Sequence, residues 1–551
     1  MRLRSIDRYR IVAFVAVVLV ALAFVAWAAV FIRRTSFVAI DGRRYYSLFD
    51  DAMISMRYAW NLAHGAGPVW NPGERVEGYS NPLLVLLMAA LSALMDQRSA
   101  VLAVQIGGVC TALATAAMAT QVYRLLGERG TRSGGGRVPW LVFGAVLAYY
   151  PLTYFTLMGM ETGLLALLLL IAVYLAILSS RSLQPRLFIL LGGIFGLLFL
   201  TRADSTLFTA AIVLYICSSR RESTRSDPRA WRAPLTGLLV FVGFIVGERL
   251  FAYAYYGSLL PNTYLLKVQG VPLSVRLLNG VRYLRPYLGQ SLPLLVLCLV
   301  ETIFDARSEK LLLGAVPFVA IAYQVYVGGD PWPYWRIMAP SYPLLVVMAV
   351  TALEALAAAF AEGPSAGYYF YRRPLLAASS VLPLLTTLGL LPAAYLANIK
   401  FAGEIIGTAL PYQVSDNHAN VDTAIALREV TSPDATVGLF WGGDIPYYSG
   451  RTAVDFLGKS DPYIASLRPD LSGAISWSGI SSVPGHNKYD LNYSIRVLRP
   501  TYIQGLSWGS QDLSEWGLQH YSWGTYKGVR LLLLNDSPRV FWARLGPGPA
   551  P

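Results

Sequence analysis

Long apolar runs separated by short polar stretches dominate the first three quarters of the chain. Runs of spanning or near-spanning length lie at residues 11–32, 99–123, 138–157, 163–180, 187–201, 205–219, 234–255, 291–304, 311–327, 341–361 and 375–396. A helix rises about 1.5 Å per residue, so about 20 apolar residues cross a hydrocarbon core of roughly 30 Å. The pattern predicts an α-helical polytopic membrane protein with about 11 transmembrane helices, whose two ends lie on opposite sides of the bilayer.

Two apolar segments have unusual lengths. The first run follows the basic stretch "MRLRSIDRYR", as the core of a secretory signal peptide also would. Such a core has about 7–15 residues, so we interpret the longer run 11–32 as an uncleaved membrane anchor. Segment 82–95 is too short to span, at roughly 14 residues. We expect it to form an interfacial or half-inserted helix.

Basic residues are distributed unevenly among the loops. Arginines cluster at the N-terminus and in segments 124–137, 218–232, 304–310 and 368–374. The positive-inside rule places these segments, with the N-terminus, in the cytoplasm. The first outer loop 33–98, the loop 256–290 and everything after residue 397 then lie on the opposite side of the cytoplasmic membrane.

Loop 256–290 is the exception to this rule, since it carries Lys267, Arg276, Arg282 and Arg285 without a balancing acid. Its stretch 272–287 is amphipathic and fits a helix lying on the membrane surface. Two interpretations stay open. The basic residues either attract anionic headgroups or form a site for a lipid-linked phosphate.

The pattern changes after residue 397. Residues 434–443, 499–506 and 528–535 are short runs of strand type, and residues 417–430 have helical spacing. About 150 residues are enough to bury a core of their own. We therefore expect a transmembrane core at 1–397 and an extracytoplasmic α/β domain at 398–551.

Composition agrees with a lipid-dissolved chain. Of the 551 residues, 55% are hydrophobic and 14% are charged, whereas about a quarter are charged in soluble proteins. The net charge of +13 would also fit nucleic acid, but the arginines lie between apolar runs, so we expect a lipid bilayer and no nucleic acid as partner. All three cysteines fall within apolar runs, and disulfides are not expected.

Charged residues collect near the predicted outer ends of the spans and in the last domain. The adjacent pair Asp50 and Asp51 is accompanied by Arg57, Glu74, Arg75, Glu77, Glu161, Arg202, Asp204, Asp330, Arg336, His486 and Lys488. Displacement of a lipid phosphate from a sugar uses both signs of charge. Cations stabilise the leaving phosphate, and a carboxylate accepts the proton of the attacking hydroxyl or stabilises a sugar cation.

Asp50 also fits a purely structural role. It precedes the helix "AMISMRYAWNLA" at the N-cap position, which Asp favours. Motifs of other chemistries are missing from the sequence: it has no Walker A loop, dinucleotide fingerprint, HExxH or CxxC, and its four histidines are too scattered for a zinc site. The sequence therefore identifies no cofactor or metal ligand, and a divalent cation beside the Asp pair stays open.

A long stretch of the first outer loop, "DDAMISMRYAWNLAHGAGPVWNPGERVEGYSNP", resembles a family of GT-C membrane glycosyltransferases typified by the mycobacterial terminal β-(1→2)-arabinofuranosyltransferase. Further stretches resemble the family in the same order, namely "GMETG", "TRADS", "YYGSLLPNTYLLKV", "VGGDPWPYWRIMAPSYPLL", "IPYYSGRTAVDFLGKSDPYIA" and "PGHNKYD". The resemblance covers about residues 45–490. The chain departs from the family pattern at Ala203 and Asn487, where an acid is more usual.

The resemblance implies a transferase with a polyprenyl-phosphate sugar donor, for which we expect decaprenyl-phosphate arabinose, and a polysaccharide acceptor such as arabinan. Asp50 or Asp51 would be the catalytic carboxylate. Candidates for the donor phosphate are Arg202, Lys267, Arg336, His486 and Lys488. Candidates for substrate binding are Arg57, Arg75, Glu77, Tyr79, Asn81, Glu161, Asp204, Asn262, Asp330 and Trp335. The C-terminal domain would bind the acceptor glycan.

Two other functions are compatible with the helix count. A lipid-linked sugar transporter or flippase would place ionisable groups near the bilayer midplane, whereas here they lie at span ends. A non-catalytic polysaccharide-binding membrane protein would keep its activity after both Asp residues are replaced.

Overall fold

Apolar helices pack side by side through the membrane part of the chain. The computed structural model describes residues 2–127, 138–182, 184–219, 231–362, 374–472 and 485–547. Its helices in this part are α1 Arg2–Arg34, α2 Asp50–Ala63, α3 Pro82–Ser92, α4 Gln97–Gly127, α5 Pro139–Leu147, α6 Tyr150–Leu157, α7 Thr162–Arg181, α8 Pro185–Thr201, α9 Thr206–Ser219, α10 Arg232–Tyr256, α11 Asn262–Val268, α12 Leu273–Phe304, α13 Ser308–Val327, α14 Tyr342–Glu362 and α15 Pro374–Asn398. Most of the predicted cytoplasmic segments 124–137, 218–232 and 368–374 lie outside the described residues.

Each of the eleven predicted spans is helical, but the helices differ in length. Within the described residues, eight helices are long and apolar enough to cross a membrane, or nine if α5 and α6, which are bent by 59°, count as one broken span. The other two, α8 and α9, have 17 and 14 residues. The predicted interfacial segment forms α3, a helix of only 11 residues.

The stretch 272–287, predicted to be helical within the outer loop 256–290, is a helix in the structure. It is the first half of α12, which has 32 residues and begins at Leu273. At about 1.5 Å per residue this helix is longer than a hydrocarbon core of roughly 30 Å. Pro286 and Pro293 lie inside this helix. A proline costs less in a membrane helix than in water, because neighbouring helices and local adjustments satisfy the freed carbonyl groups.

Glycines allow two of the helices to approach closely. A Cβ atom on Gly192 of α8 would collide with the backbone of Gly237 in α10, and one on Gly196 would collide with the Phe244 ring. Small residues at such contacts are typical of helices packed in lipid, where dispersion contacts stabilise the pair.

The C-terminal residues form a mixed sheet with helices around it. Its elements are α16 Ala402–Ile406, α17 Val414–Val430, β3 Thr436–Leu439, α18 Asp444–Ser449, β4 Thr452–Asp455, α19 Pro462–Ser466, β5 Tyr502–Ile503, α20 Gln511–His520, β6 Tyr521–Tyr526, β7 Val529–Leu534 and β8 Gly546–Pro547. Strands β1 Ser36–Val38 and β2 Arg44–Tyr46 form a separate hairpin in the first outer loop. The order is β4-β3-β5-β7-β6-β8, parallel from β4 to β5 and antiparallel beyond. The predicted strands and helix in this region are confirmed. The domain border at residues 397/398 stays a prediction.

Candidate functional site

The Asp pair opens helix α2, but neither carboxylate caps it. The N-cap residue is Phe49, and no side-chain capping hydrogen bond is present. The capping interpretation of Asp50 was therefore wrong. Acidic residues in a first turn do interact favourably with the helix dipole, and both side chains find their hydrogen bonds elsewhere.

Asp51 lies between two cations. Its Oδ1 is paired with the ammonium of Lys459, and its Oδ2 accepts from Arg336 Nη1 at 2.6 Å and from Trp332 Nε1 at 3.1 Å. Burial alone would raise the pKa of Asp51, but Lys459, Arg336 and Lys267 outweigh it and hold that pKa well below its usual range. Asp51 is therefore an ionised carboxylate in a fixed orientation.

Asp50 has very different surroundings. Its Oδ1 accepts from the Gly443 N–H at 3.0 Å, while the buried Oδ2 has no hydrogen-bond partner in the described structure. Burial raises the pKa of Asp50 to about 6 against the charge of Lys459, and the charge of Asp51 raises it further. The adjacent carboxylates are thus electrostatically unequal.

Arg336 is locked in place by a second carboxylate. Its Nε and Nη2 donate to the two oxygens of Asp330 at 2.7 and 3.0 Å, a bidentate pair, while Nη1 reaches Asp51. The two preceding residues, Tyr334 and Trp335, have positive φ angles of 71° and 50°. The Tyr334 hydroxyl donates to Glu404, which holds this tight turn.

A second ion cluster lies at the start of α7 and the end of α8. Arg202 donates to Glu161 at 2.9 Å and forms a bidentate pair with Asp204 at 2.6 and 3.0 Å. Glu161 also accepts from Asn81 at 3.2 Å, and Asn81 accepts from Ser55 of α2 at 3.1 Å. This chain of bonds links the cluster to the helix that begins with the Asp pair.

A pocket lies between the two clusters and is lined by residues of both. Its polar lining includes Glu161, Arg202, Asp204, Tyr323 and Arg336, and its apolar lining includes Leu165, Leu207, Phe208, Ala320, Ile337 and Pro340. Two guanidinium groups, two carboxylates and an apolar wall thus line the same cavity. Such a cavity fits a ligand with an anionic head and an apolar body.

Lys267 and His486 belong to the same electrostatic neighbourhood. Burial lowers the pKa of Lys267, and Arg336 adds to this. Among the described residues Lys267 forms no ion pair with a carboxylate. His486 lies beside Trp332 and Trp441, and burial together with the charge of Lys459 lowers its pKa to about 3. His486 is therefore a neutral hydrogen-bonding group.

Four other predicted site residues hold neighbouring segments together. Lys488 donates to the carbonyls of Leu265 and Ala465 at 2.9 and 2.8 Å, which ties α11 to α19. Asn262 donates to the carbonyls of Gly458 and Lys459 at 2.8 and 3.0 Å. Arg57 donates to the Trp70 carbonyl at 3.0 Å, and Trp335 to that of Tyr283 at 3.3 Å.

Three predicted site residues of the first outer loop contact helix α10 and not the Asp pair. Glu77 pairs with Arg249 at 3.1 Å, the Tyr79 hydroxyl lies 3.1 Å from that of Tyr256, and the Arg75 guanidinium stacks on Tyr255. Burial raises the pKa of Glu77 to about 7. These contacts fix the loop against the bundle.

Lys459, the cation that contacts Asp51 directly, was not among the site residues predicted from the sequence. It stands in "FLGKSDPY", within one of the stretches that carry the family resemblance. A lysine inside such a stretch was the available signal. Its partner is 408 positions away in the sequence, so charge patterning along the chain could not reveal the pair.

The groups around Asp51 do not fit the coordination of a divalent cation. Both of its oxygens are already engaged by Lys459 and Arg336, and a metal ion there would be repelled by both. In the part of the chain that the structure describes, no three His, Cys, Asp or Glu side chains converge as metal ligands would. Positive charge at this site comes from side chains.

Comparison with known proteins places this geometry in a fold class. ArnT from Cupriavidus metallidurans bound to undecaprenyl phosphate matches with a TM-score of 0.57 and 12% identity over 94% of this chain and 98% of that chain. Its apo form matches with a TM-score of 0.56 and 13% identity, again over 94% and 98%. The Archaeoglobus fulgidus oligosaccharyltransferase in the apo form matches with a TM-score of 0.50 and 12% identity over 96% of this chain and 75% of that chain.

The chain is therefore a polytopic membrane protein with the GT-C fold. A family model described as a domain of unknown function, DUF8728, matches residues 411–526, which contain Lys459 and most of the sheet. No curated protein matches the chain. At this level of identity the likeness shows the fold alone.

Proposed function

We propose that this protein is a membrane glycosyltransferase. It transfers a sugar from a polyprenyl-phosphate donor to a cell-envelope polysaccharide on the outer face of the cytoplasmic membrane. The observation that carries the proposal is the ionised Asp51, held by Lys459 and Arg336, with Arg336 also lining a pocket that combines two guanidinium groups with apolar side chains. The similarity in fold to ArnT bound to undecaprenyl phosphate supports a donor of this chemical class.

The pocket would bind the donor through its phosphate and through the start of its polyprenyl chain. Arg336 and Arg202 at its mouth, with the unpaired Lys267 nearby, would hold the phosphate through charge-assisted hydrogen bonds. Leu165 and Phe208 would contact the first part of the polyprenyl chain. The sugar would then lie towards Asp51, on the far side of the Arg336 guanidinium.

Asp51 would act as the general base for the acceptor hydroxyl. In the free protein Lys459 and Arg336 make it a weak base, because they favour the ionised form. A donor phosphate would share the charge of Arg336 and Lys267, so the pKa of Asp51 would rise once the donor binds. Proton transfer would thus be favoured only in the loaded site. The same cations would stabilise the charge on the leaving phosphate.

D-arabinofuranose is the sugar that we propose, with arabinan as the acceptor. The support is the resemblance of the first outer loop and six later stretches to the arabinofuranosyltransferase-like family. Of the two departures from that pattern, Ala203 adjoins Arg202 and Asn487 adjoins His486. Both would bear on the choice of sugar more than on the reaction.

The decisive test replaces the carboxylates by nearly isosteric amides. Asp51→Asn should lose about 10²–10⁴-fold in turnover measured at saturating donor, the usual contribution of general acid–base help. The assay is transfer from radiolabelled decaprenyl-phosphate arabinose to arabinan by protein in lipid nanodiscs. Asp434→Asn, which alters a carboxylate with 67% side-chain exposure, is the matched control and should stay active. Near wild-type transfer by both Asp50→Asn and Asp51→Asn would contradict the proposal.

A pair of lysines tests the donor site. Lys267→Met removes an unpaired cation, and we expect donor affinity to fall about ten- to hundredfold, the equivalent of one charge-assisted hydrogen bond. Lys488→Met removes a lysine that bonds only to two backbone carbonyls in the described structure. It should lower thermal stability while the donor Kd stays within about threefold. The reverse result, affinity lost only in Lys488→Met, would place the phosphate elsewhere.

A further inference from the structure

An aromatic pair lies on the surface of the C-terminal domain. Tyr463, which is 44% exposed, and the half-exposed Tyr493 have ring centroids 4.3 Å apart. Asp490 positions both residues, because it accepts from the Tyr493 N–H at 3.0 Å and from the Tyr463 hydroxyl at 3.2 Å. The rings are therefore fixed in place while part of each stays accessible to solvent.

Two further carboxylates border this pair. Asp461 accepts from the N–H groups of Tyr463 and Ile464 at 2.9 and 3.2 Å through Oδ1 alone, so Oδ2 has no partner in the described structure. The exposed Glu74, from the first outer loop, lies close enough for its charge to act on Asp461 and Tyr493. We call Glu74, Asp461, Tyr463, Asp490 and Tyr493 the aromatic platform.

The platform is continuous with the site around Asp51 through two chain segments. Lys459, which contacts Asp51, is four positions before Tyr463. His486, which packs beside Trp332, is seven positions before Tyr493. The two segments that carry the tyrosines thus also carry residues of the site around Asp51.

We infer that the aromatic platform binds the acceptor as a neutral glycan chain. A tyrosine ring offers a rigid apolar face, on which the C–H face of a sugar can pack, at little conformational cost. The carboxylate oxygens accept hydrogen bonds and cannot donate them, so they match the hydroxyl groups of a polyol and repel an anionic polymer. This inference rests on the proposed function and adds the surface on which the acceptor lies.

Direct binding without donor tests the inference separately from catalysis. The full-length protein in nanodiscs is titrated with arabinan and mannan hexasaccharides, and binding is measured by calorimetry. Tyr463→Ala and Tyr493→Ala should each bind the preferred hexasaccharide about tenfold more weakly or worse, as loss of an aromatic anchor does. Tyr463→Phe keeps the ring and should bind normally. Trp542→Ala, at an aromatic residue with similar exposure and no ring contact to the described pair, should do the same.

The outcomes separate the two proposals. Unchanged binding in both folded Tyr→Ala variants, or no binding of either hexasaccharide by the wild type, would overturn the platform even if the protein transfers sugar. Weakened binding in the Tyr→Ala variants supports it. Weakened binding supports the aromatic platform even if no polyprenyl-phosphate sugar is transferred. In that case only the proposed function fails.

Discussion

Asp50 and Asp51 are neighbours in the chain, yet their surroundings shift their pKa values in opposite directions. Asp51 is stabilised as an anion by Lys459 and Arg336, whereas Asp50 is buried with one oxygen unpartnered. A single helical step turns the two side chains in different directions, so one faces the cations and the other faces the Gly443 backbone. The pair thus provides one permanent charge and one group that titrates near neutrality.

Asp50 makes the stability of the protein depend on pH. Its pKa is raised from 3.8 to about 6 in the folded state, so ionisation opposes folding. The contribution of Asp50 to stability is complete below about pH 4 and is lost as the pH rises through 6. Asp50→Asn should therefore be more stable than the wild type at pH 8, by about 1–3 kcal/mol, and no more stable at pH 4. Thermal unfolding in detergent at the two pH values measures this, and equal stability at pH 8 would count against a raised pKa.

At the scale of the element, the turn before Arg336 decides where that guanidinium lies. Tyr334 and Trp335 both have positive φ, a conformation that costs free energy for bulky residues and is kept only where the surroundings enforce it. Glu404 holds the turn in this conformation. It accepts from the Tyr334 hydroxyl, the Tyr150 hydroxyl at 2.6 Å and the Tyr412 N–H at 3.1 Å.

Removal of Glu404 should therefore affect the donor site from a distance. Glu404→Ala leaves buried donors unsatisfied, so we expect a loss of about 1–3 kcal/mol in stability. It should also weaken donor affinity, because Arg336 is no longer held against Asp51. Glu404→Gln keeps an acceptor oxygen and should lose less of both. Thermal unfolding and the donor Kd are measured together. Wild-type donor affinity in a folded Glu404→Ala variant would show that the turn keeps its conformation without Glu404.

At the scale of the whole molecule, the site needs both parts of the chain. Asp51, Arg202 and Arg336 come from the helical part, while Lys459 and Gly443 come from the region of the sheet. All of these groups gather at one end of the bundle. The ion cluster of Glu301, Asp305 and Lys310 lies at the other end of α12. A shared outer face for these candidate site residues is therefore our prediction for the membrane topology.

Cysteine labelling tests this topology. On a background without the three native cysteines, Ala306→Cys, in the predicted cytoplasmic turn after α12, should be shielded from an impermeant thiol reagent in intact cells. Ser510→Cys, before α20 in the sheet domain, should react. Both positions are exposed to solvent, so accessibility is matched. Labelling of position 306 from outside would reverse the orientation and remove the donor site from the outer face.

The sequence by itself determined the helical membrane architecture and the C-terminal α/β region, and it singled out the Asp pair as a candidate site. Apolar runs of spanning length have few alternatives to a helix, because lipid offers no partner for backbone groups. The same rule did not show that the stretch 272–287 and the apolar run after it form one continuous helix, α12, since Arg276 and Pro286 interrupt the apolar pattern. Sequence pattern also could not show that Lys488 donates to two backbone carbonyls, whereas Arg336 reaches Asp51.

Only the tertiary structure decided which charges meet. Lys459 and Asp51 are 408 positions apart, and Asp51 and Arg336 are 285 apart. Local propensity and periodicity act over a turn or a strand, so contacts between such distant segments depend on how the packed helices and the sheet region are arranged. The same packing buries one Asp away from solvent and surrounds its neighbour with cations. That difference in surroundings, which no spacing in the sequence encodes, sets the chemistry of the site.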